Sequence, residues 1–192
     1  MTREFANQIN DKKLQEELKD GEKLIWQGTP EKFTATAGEG KSAFTKRCIF
    51  SLVGFIVVIA AYMLLLSNSH AGVSVPLVVI VAIVFVYVAL VPVLDAKKIS
   101  TKCSYYVTTD RVIEVIDAKE VFAIPRKDIN IKFVPHSDGN VVVLLGGAVK
   151  LPEKKYRVST IVPVKDDKAE KAIGVTFYNV KDSKELHAAL GV

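Results

Sequence analysis

Cys48–Leu94 reads CIFSLVGFIVVIAAYMLLLSNSHAGVSVPLVVIVAIVFVYVALVPVL and contains no Lys, Arg, Asp or Glu. All 26 basic and 21 acidic residues lie outside it, in 1–47 and 95–192. The mean hydropathy of +0.25, high for a soluble domain, is concentrated in this stretch. Two apolar runs, 48–66 and 73–94, flank Ser67-Asn68-Ser69-His70-Ala71-Gly72. As helices rising about 1.5 Å per residue they reach about 28 and 33 Å, matching a hydrocarbon core of about 30 Å. Buried strands or helices of a soluble core are normally interrupted by turns well before such lengths. A cleaved signal sequence has its apolar run within roughly the first 15 to 30 residues, whereas polar residues occupy this chain up to Arg47. The stretch predicts a transmembrane hairpin and divides the chain into 1–47, 48–94 and 95–192.

Orientation follows from the flanking charges. Lys41, Lys46 and Arg47 precede the first run, Lys97, Lys98 and Lys102 follow the second, and the intervening loop has no Lys or Arg. The positive-inside rule then predicts a multi-pass protein of the cytoplasmic (inner) membrane with both termini cytoplasmic. Lys46, Arg47, Lys97, Lys98 and Lys102 are candidate membrane-surface residues, because each basic group near an anionic leaflet contributes about 1 kcal/mol. Topology determination alone explains the same residues, so headgroup recognition and simple orientation both stand.

Lipid tails provide no hydrophobic drive for helix association, and small residues let backbones approach. Gly54 and Ala61 on the first helix and Ala82 and Ala89 on the second share one spacing. Paired as Gly54 with Ala89 and Ala61 with Ala82, they predict the hairpin interface; alternatively they face partner helices or a second copy. Pro92 lacks an N–H and so removes the donor to the Val88 carbonyl, predicting a bend. Ser51, Tyr62, Ser74 and Tyr87 are the clearly polar side chains of the spans, and none is a carboxylate or a basic group. Transport of ions or polar substrates usually needs such groups in the bundle. The hairpin reads as an anchor.

The flanks are polar. Asp11 is a candidate cap for a short helix carrying Leu14 and Leu18, ended by Gly21. Lys23–Gln27 reads as a strand and Thr34–Ala43 as a loop. After Leu94, Tyr105–Thr109, Arg111–Asp117, Glu120–Ile124, Asp128–Val134, Val141–Leu145, Tyr156–Val164 and Ile173–Tyr178 are short Val-, Ile-, Tyr-, Phe- and Thr-rich runs between turn signals. Asp182 or Ser183 caps a last helix with Leu186 and Leu190 on one face and Gly191 as terminator. The expected class is α+β: a two-helix transmembrane hairpin and a β-barrel of about seven strands closed by a C-terminal helix. The apolar Leu24-Ile25-Trp26 run would be exposed unless its strand packs on the barrel. Leu94–Tyr105 reads as a linker of at most about 35 to 40 Å when extended.

The order of Gly21-Glu22-Lys23-Leu24-Ile25-Trp26-Gln27-Gly28-Thr29-Pro30, two spans, Tyr106-Val107-Thr108-Thr109-Asp110-Arg111-Val112-Ile113, Ile124-Pro125-Arg126-Lys127-Asp128-Ile129 and Val175-Thr176-Phe177-Tyr178-Asn179-Val180-Lys181-Asp182 resembles the bacterial membrane-anchored proteins with a pleckstrin-homology-like domain. The resemblance covers about two thirds of the chain. It implies a split or partly open barrel on the cytoplasmic face, no catalytic residues and no transferable site. The stretch Gly146–Lys171 is less typical and reads as an elaborated hairpin.

The chemistry-bearing residues do not assemble in sequence. His136-Ser137-Asp138 are adjacent on a turn and point apart, so they do not form a relay. His70 and His187 lie on opposite sides of the expected membrane. Cys48 and Cys103 have no metal or redox spacing. Gly38-Glu39-Gly40-Lys41-Ser42 ends like a phosphate-binding loop, but Ala35 replaces its first glycine. The net charge of +5 is spread out, with Lys154, Lys155 and Arg157 as one further cluster, which is not a nucleic-acid signature. The expectation is a non-enzymatic binding or scaffold module without cofactor or metal. Its partners are the lipid bilayer, through anionic headgroups, or a peptide or membrane protein. The alternative is an accessory or regulatory subunit of a larger membrane complex.

Overall fold

A computed structural model describes residues 3–32, 40–69, 72–136, 139–150, 164–166 and 171–192. Residues 156–163 of the expected Tyr156–Val164 strand, the cluster of Lys154, Lys155 and Arg157, His70, and Ser137 and Asp138 of the expected turn lie outside them, as does 34–39 of the expected loop. The chain falls into two units, one formed by Thr34–Leu94 and the other by Met1–Phe33 with Asp95–Val192.

Thr34–Leu94 is helical. Helix α2 spans Gly40–Ser69 and α3 starts at Val75, with Pro76 in its first turn, where a missing N–H costs little. Phe50, Leu64 and Leu65 are 77%, 69% and 69% exposed, so protein does not cover these apolar surfaces. Both helices are long and apolar enough to cross a membrane.

Helix α3 continues to Lys102, and strand β2 begins at Cys103. Leu94–Tyr105 is therefore not an extended linker. Ala96 and Ile99, three apart, are buried on one face of this last stretch, and Thr101 Oγ1 donates to the Lys97 carbonyl at 2.6 Å. Apolar spacing continues the helix past Pro92.

In the other unit, α1 (Arg3–Glu17) buries Ala6, Asn10 and Leu14 at four-residue intervals, one stripe of a helix. It starts at Arg3, not at Asp11. Instead of capping, the Asp11 carboxylate accepts a hydrogen bond of 2.7 Å from the Tyr106 hydroxyl. Gly21, at φ +81°, makes the left-handed turn into β1 (Leu24–Gly28).

The remaining strands are β2 (Cys103–Thr108), β3 (Arg111–Ile116), β4 (Glu120–Pro125), β5 (Ile131–Pro135), β6 (Asn140–Gly146), β7 (Val164–Lys165) and β8 (Ala172–Lys181). They form two antiparallel four-stranded sheets, ordered β1-β2-β3-β4 and β5-β6-β8-β7. Among the described residues no ladder joins the sheets, so the fold is α+β without a closed barrel. The strand expected from Asp128 starts at Ile131, because Asp128 turns at φ +58°.

Strands β2 and β3 are buried on both faces for a visible reason. Tyr105, Val107, Val112 and Ile116 enter the core shared with Val143, Val175 and Phe177, while Tyr106, Ile113 and Val115 pack against Leu14 of α1. Rings of Trp26 and Tyr105 stack on Phe177 with centroids 5.7 and 4.7 Å away. Ser183 Oγ caps α4 (Lys184–Leu190) by accepting from the Leu186 amide, and Gly191 ends it at φ +83°.

Candidate functional site

Three groups of side chains are candidates for a functional site: the contacts between α2 and α3, the network around the β2–β3 turn, and the exposed side of α4.

Between the long helices the contacts are polar at two levels and apolar between them. Tyr62 Oη accepts from the Ser74 amide at 2.9 Å; Ser51 Oγ donates to the Phe85 carbonyl at 2.6 Å; Arg47 Nε donates to the Val88 carbonyl at 2.9 Å. Val88 O is the acceptor that Pro92 leaves without its helical N–H. Arg47 therefore replaces the missing donor from the neighbouring helix. The Phe55 and Phe85 rings meet edge to face at 5.9 Å.

Gly54 faces Phe85: a Cβ there would lie 2.8 Å from Phe85 Cε1. Ala82 and Ala89 line an open groove of about 220 Å³ with Cys48, Ser51, Phe55 and Phe85. Ala61 is exposed. Gly54 thus meets a residue one turn from Ala89, its expected partner.

The basic candidates separate. Lys46, Lys97 and Lys98 are exposed, whereas Arg47 is half-buried on α3. Lys102 Nζ is 2.7 Å from Asp117 Oδ2, tied to the β3–β4 turn. Three candidates therefore present open ammonium groups and two are engaged.

Two buried polar networks hold α1 and β1 to the sheet. Asn10 Nδ2 donates to the Lys102 carbonyl at 3.0 Å and to Ser104 Oγ at 2.8 Å, and its Oδ1 accepts from the Ala118 amide at 2.7 Å. The Glu22 carboxylate takes Arg111 Nε at 3.0 Å and an Arg111 terminal nitrogen at 2.6 Å, together with Thr108 Oγ1 and the Lys19 amide. The Arg111 guanidinium above all, then the Thr108 hydroxyl and Lys19 amide, pull the Glu22 carboxyl down to about 2 despite its burial. Sequence reading placed Glu22 and Arg111 in separate motifs and missed their pairing.

Glu114 was also missed. It lies on β3 opposite Tyr105 of β2 and Phe122 of β4, is fully buried, and neither carboxyl oxygen has a hydrogen-bond partner among the described residues. Burial pushes this carboxyl well above the usual carboxylate range. A signal existed in sequence: Glu114 interrupts Arg111–Ile116, whose other inner positions are all apolar.

On α4, His187 Nε2 shares a 2.7 Å hydrogen bond with Asp182 Oδ1, and its ring stacks on Phe133 at 4.3 Å. Asp182, Ser183, Lys184, His187, Ala188 and Val192 line a shallow surface cavity of about 460 Å³. Ser183 Oγ, in the same lining, accepts from the Leu186 amide as the cap of α4. Among the described residues no three His, Cys, Asp or Glu side chains gather as a metal site.

No known protein family, curated protein or solved structure matches the chain.

Proposed function

We propose that this protein is a membrane-anchored, non-enzymatic binding or scaffold module. In this reading α2 and α3 cross the inner membrane, and the β unit is a pleckstrin-homology-like domain on the cytoplasmic face that binds a lipid surface, a peptide or a partner protein. The observation that carries it is the β1–β2 ladder, with Trp26 opposite Val107 and Gln27 opposite Tyr106. Chain that precedes the hairpin and chain that follows it are one hydrogen-bonded sheet, so a membrane-crossing hairpin leaves both on the same side. The basic residues choose the cytoplasmic side. Two sheets with a capped helix after the last strand support the domain reading. Tethering then raises the local concentration of weak contacts.

Reporter fusions at each terminus should both read cytoplasmic, and the protein should resist carbonate extraction. The exposed ammonium groups of Lys46, Lys97 and Lys98 make the lipid arm specific: K46Q/K97Q/K98Q should lower the phosphatidylglycerol to phosphatidylethanolamine ratio of co-purified lipid. An unchanged ratio removes the lipid arm, and a periplasmic terminus removes the whole reading.

A second reading, an accessory subunit of a larger membrane complex, is favoured by the open apolar groove at Ala82 and Ala89. A stable hetero-complex after mild detergent extraction would select it.

A further inference from the structure

We propose that Glu114 is a pH-responsive element of the β unit, which is held together more tightly in acid and opens around β2, β3 and β4 as the pH rises. The geometry carries this. Glu114 points to the same side of β3 as Val112 and Ile116, into the main core, with no measurable exposure and, among the described residues, no donor on either oxygen. A carboxylate in such a place has lost its water and gained nothing, so the folded protein keeps the carboxyl neutral.

The surrounding groups reinforce that state. From β2 come Cys103 and Tyr105, and from the start of β4 Glu120. The Glu120 carboxylate opposes ionisation of Glu114, and the Cys103 thiol and Tyr105 phenol are themselves held neutral by burial. Asp117 and Lys98 bear on Cys103 from the β3–β4 turn and from α3. Among the described residues no cation pairs with Glu114.

The sign follows from proton linkage. Above the ordinary carboxyl value of about 4.5 the unfolded chain releases this proton while the folded chain retains it, so unfolding is increasingly favoured as pH rises. The effect stops only when the pH reaches the raised folded-state value. Ile99, in the last stretch of α3, and Cys103, at the start of β2, belong to the same core, so opening it frees the end of α3. This holds whether or not the unit binds lipid.

The test uses the full-length protein in phosphatidylcholine nanodiscs. Chemical unfolding is followed by the fluorescence of Trp26, the single tryptophan, which packs on Phe177. Wild type and E114Q are compared between about pH 5 and 8; the amide keeps the shape and cannot ionise. The ratio of their unfolding constants should grow by up to about tenfold per pH unit, with E114Q the more stable at the upper end. E114L repeats the comparison if E114Q does not fold. A ratio that stays constant with pH, or variants less stable than wild type throughout, overturns the proposal.

Discussion

At the scale of single residues, Glu22 and Arg111 join segments 89 positions apart, and the pair fastens the turn before β1 to the β2–β3 turn. A bidentate guanidinium–carboxylate contact gives both strength and direction. Removing one partner leaves a charge near the core with nothing opposite it. E22Q is expected to cost about 1 to 2 kcal/mol at neutral pH, moderated because the pair lies close to solvent. The carboxyl is depressed to about 2, so this contribution is complete above about pH 5 and is lost as the pH falls from 4.5 towards 2. Urea unfolding of wild type and E22Q should therefore converge in acid, the opposite trend to Glu114. Glu22 and Arg111 stood in separate motifs of the sequence; their contact was not legible there, because it needs β1 and β2 to be neighbours.

At the scale of elements, α2 and α3 are joined where α3 is weakest. In a hydrocarbon setting an unsatisfied carbonyl costs several kcal/mol, and Pro92 creates one at Val88. Arg47 answers it from the other helix. The two residues should be coupled: R47A should destabilise the hairpin by about 1 to 3 kcal/mol beside Pro92 and by much less in P92A, where residue 92 again donates to Val88. A double-mutant cycle on thermal stability in detergent measures the coupling. Additive losses would remove the assignment. The orphaned carbonyl could be deduced from Pro92 alone, since the i to i−4 rule is local. The donor could not, because the facing pairs Arg47–Val88 and Ser51–Phe85 depend on how the helices lie together. The α1 stripe behaves likewise: Leu14 was readable from spacing, whereas the burial of Asn10 depends on Lys102, Ser104 and Ala118 around it.

At the scale of the whole molecule, one unit is built from the two ends of the chain. The α1 helix covers Tyr106, Ile113 and Val115, and β1 supplies Trp26 to the core around Phe177. Deleting residues 1–30 uncovers one face of the β2–β3 hairpin and one sheet edge. The truncated protein is expected to lose its cooperative urea transition and its protease-resistant β fragment, both checked on full-length and truncated chains in the same detergent. Retention of both would mean that α1 and β1 are accessory.

Sequence alone determined the apolar hairpin segment, the strand-rich C-terminal half, the β1 segment and the capped last helix, because hydropathy, two-residue alternation and capping act over a few neighbouring residues. Tertiary structure decided the uninterrupted course of α3 to Lys102, the start of α1 at Arg3, the two separate sheets and the burial of Glu114. Each of these depends on which distant surface covers a given face, and a carboxyl on a strand becomes a buried one only when a second sheet closes over it.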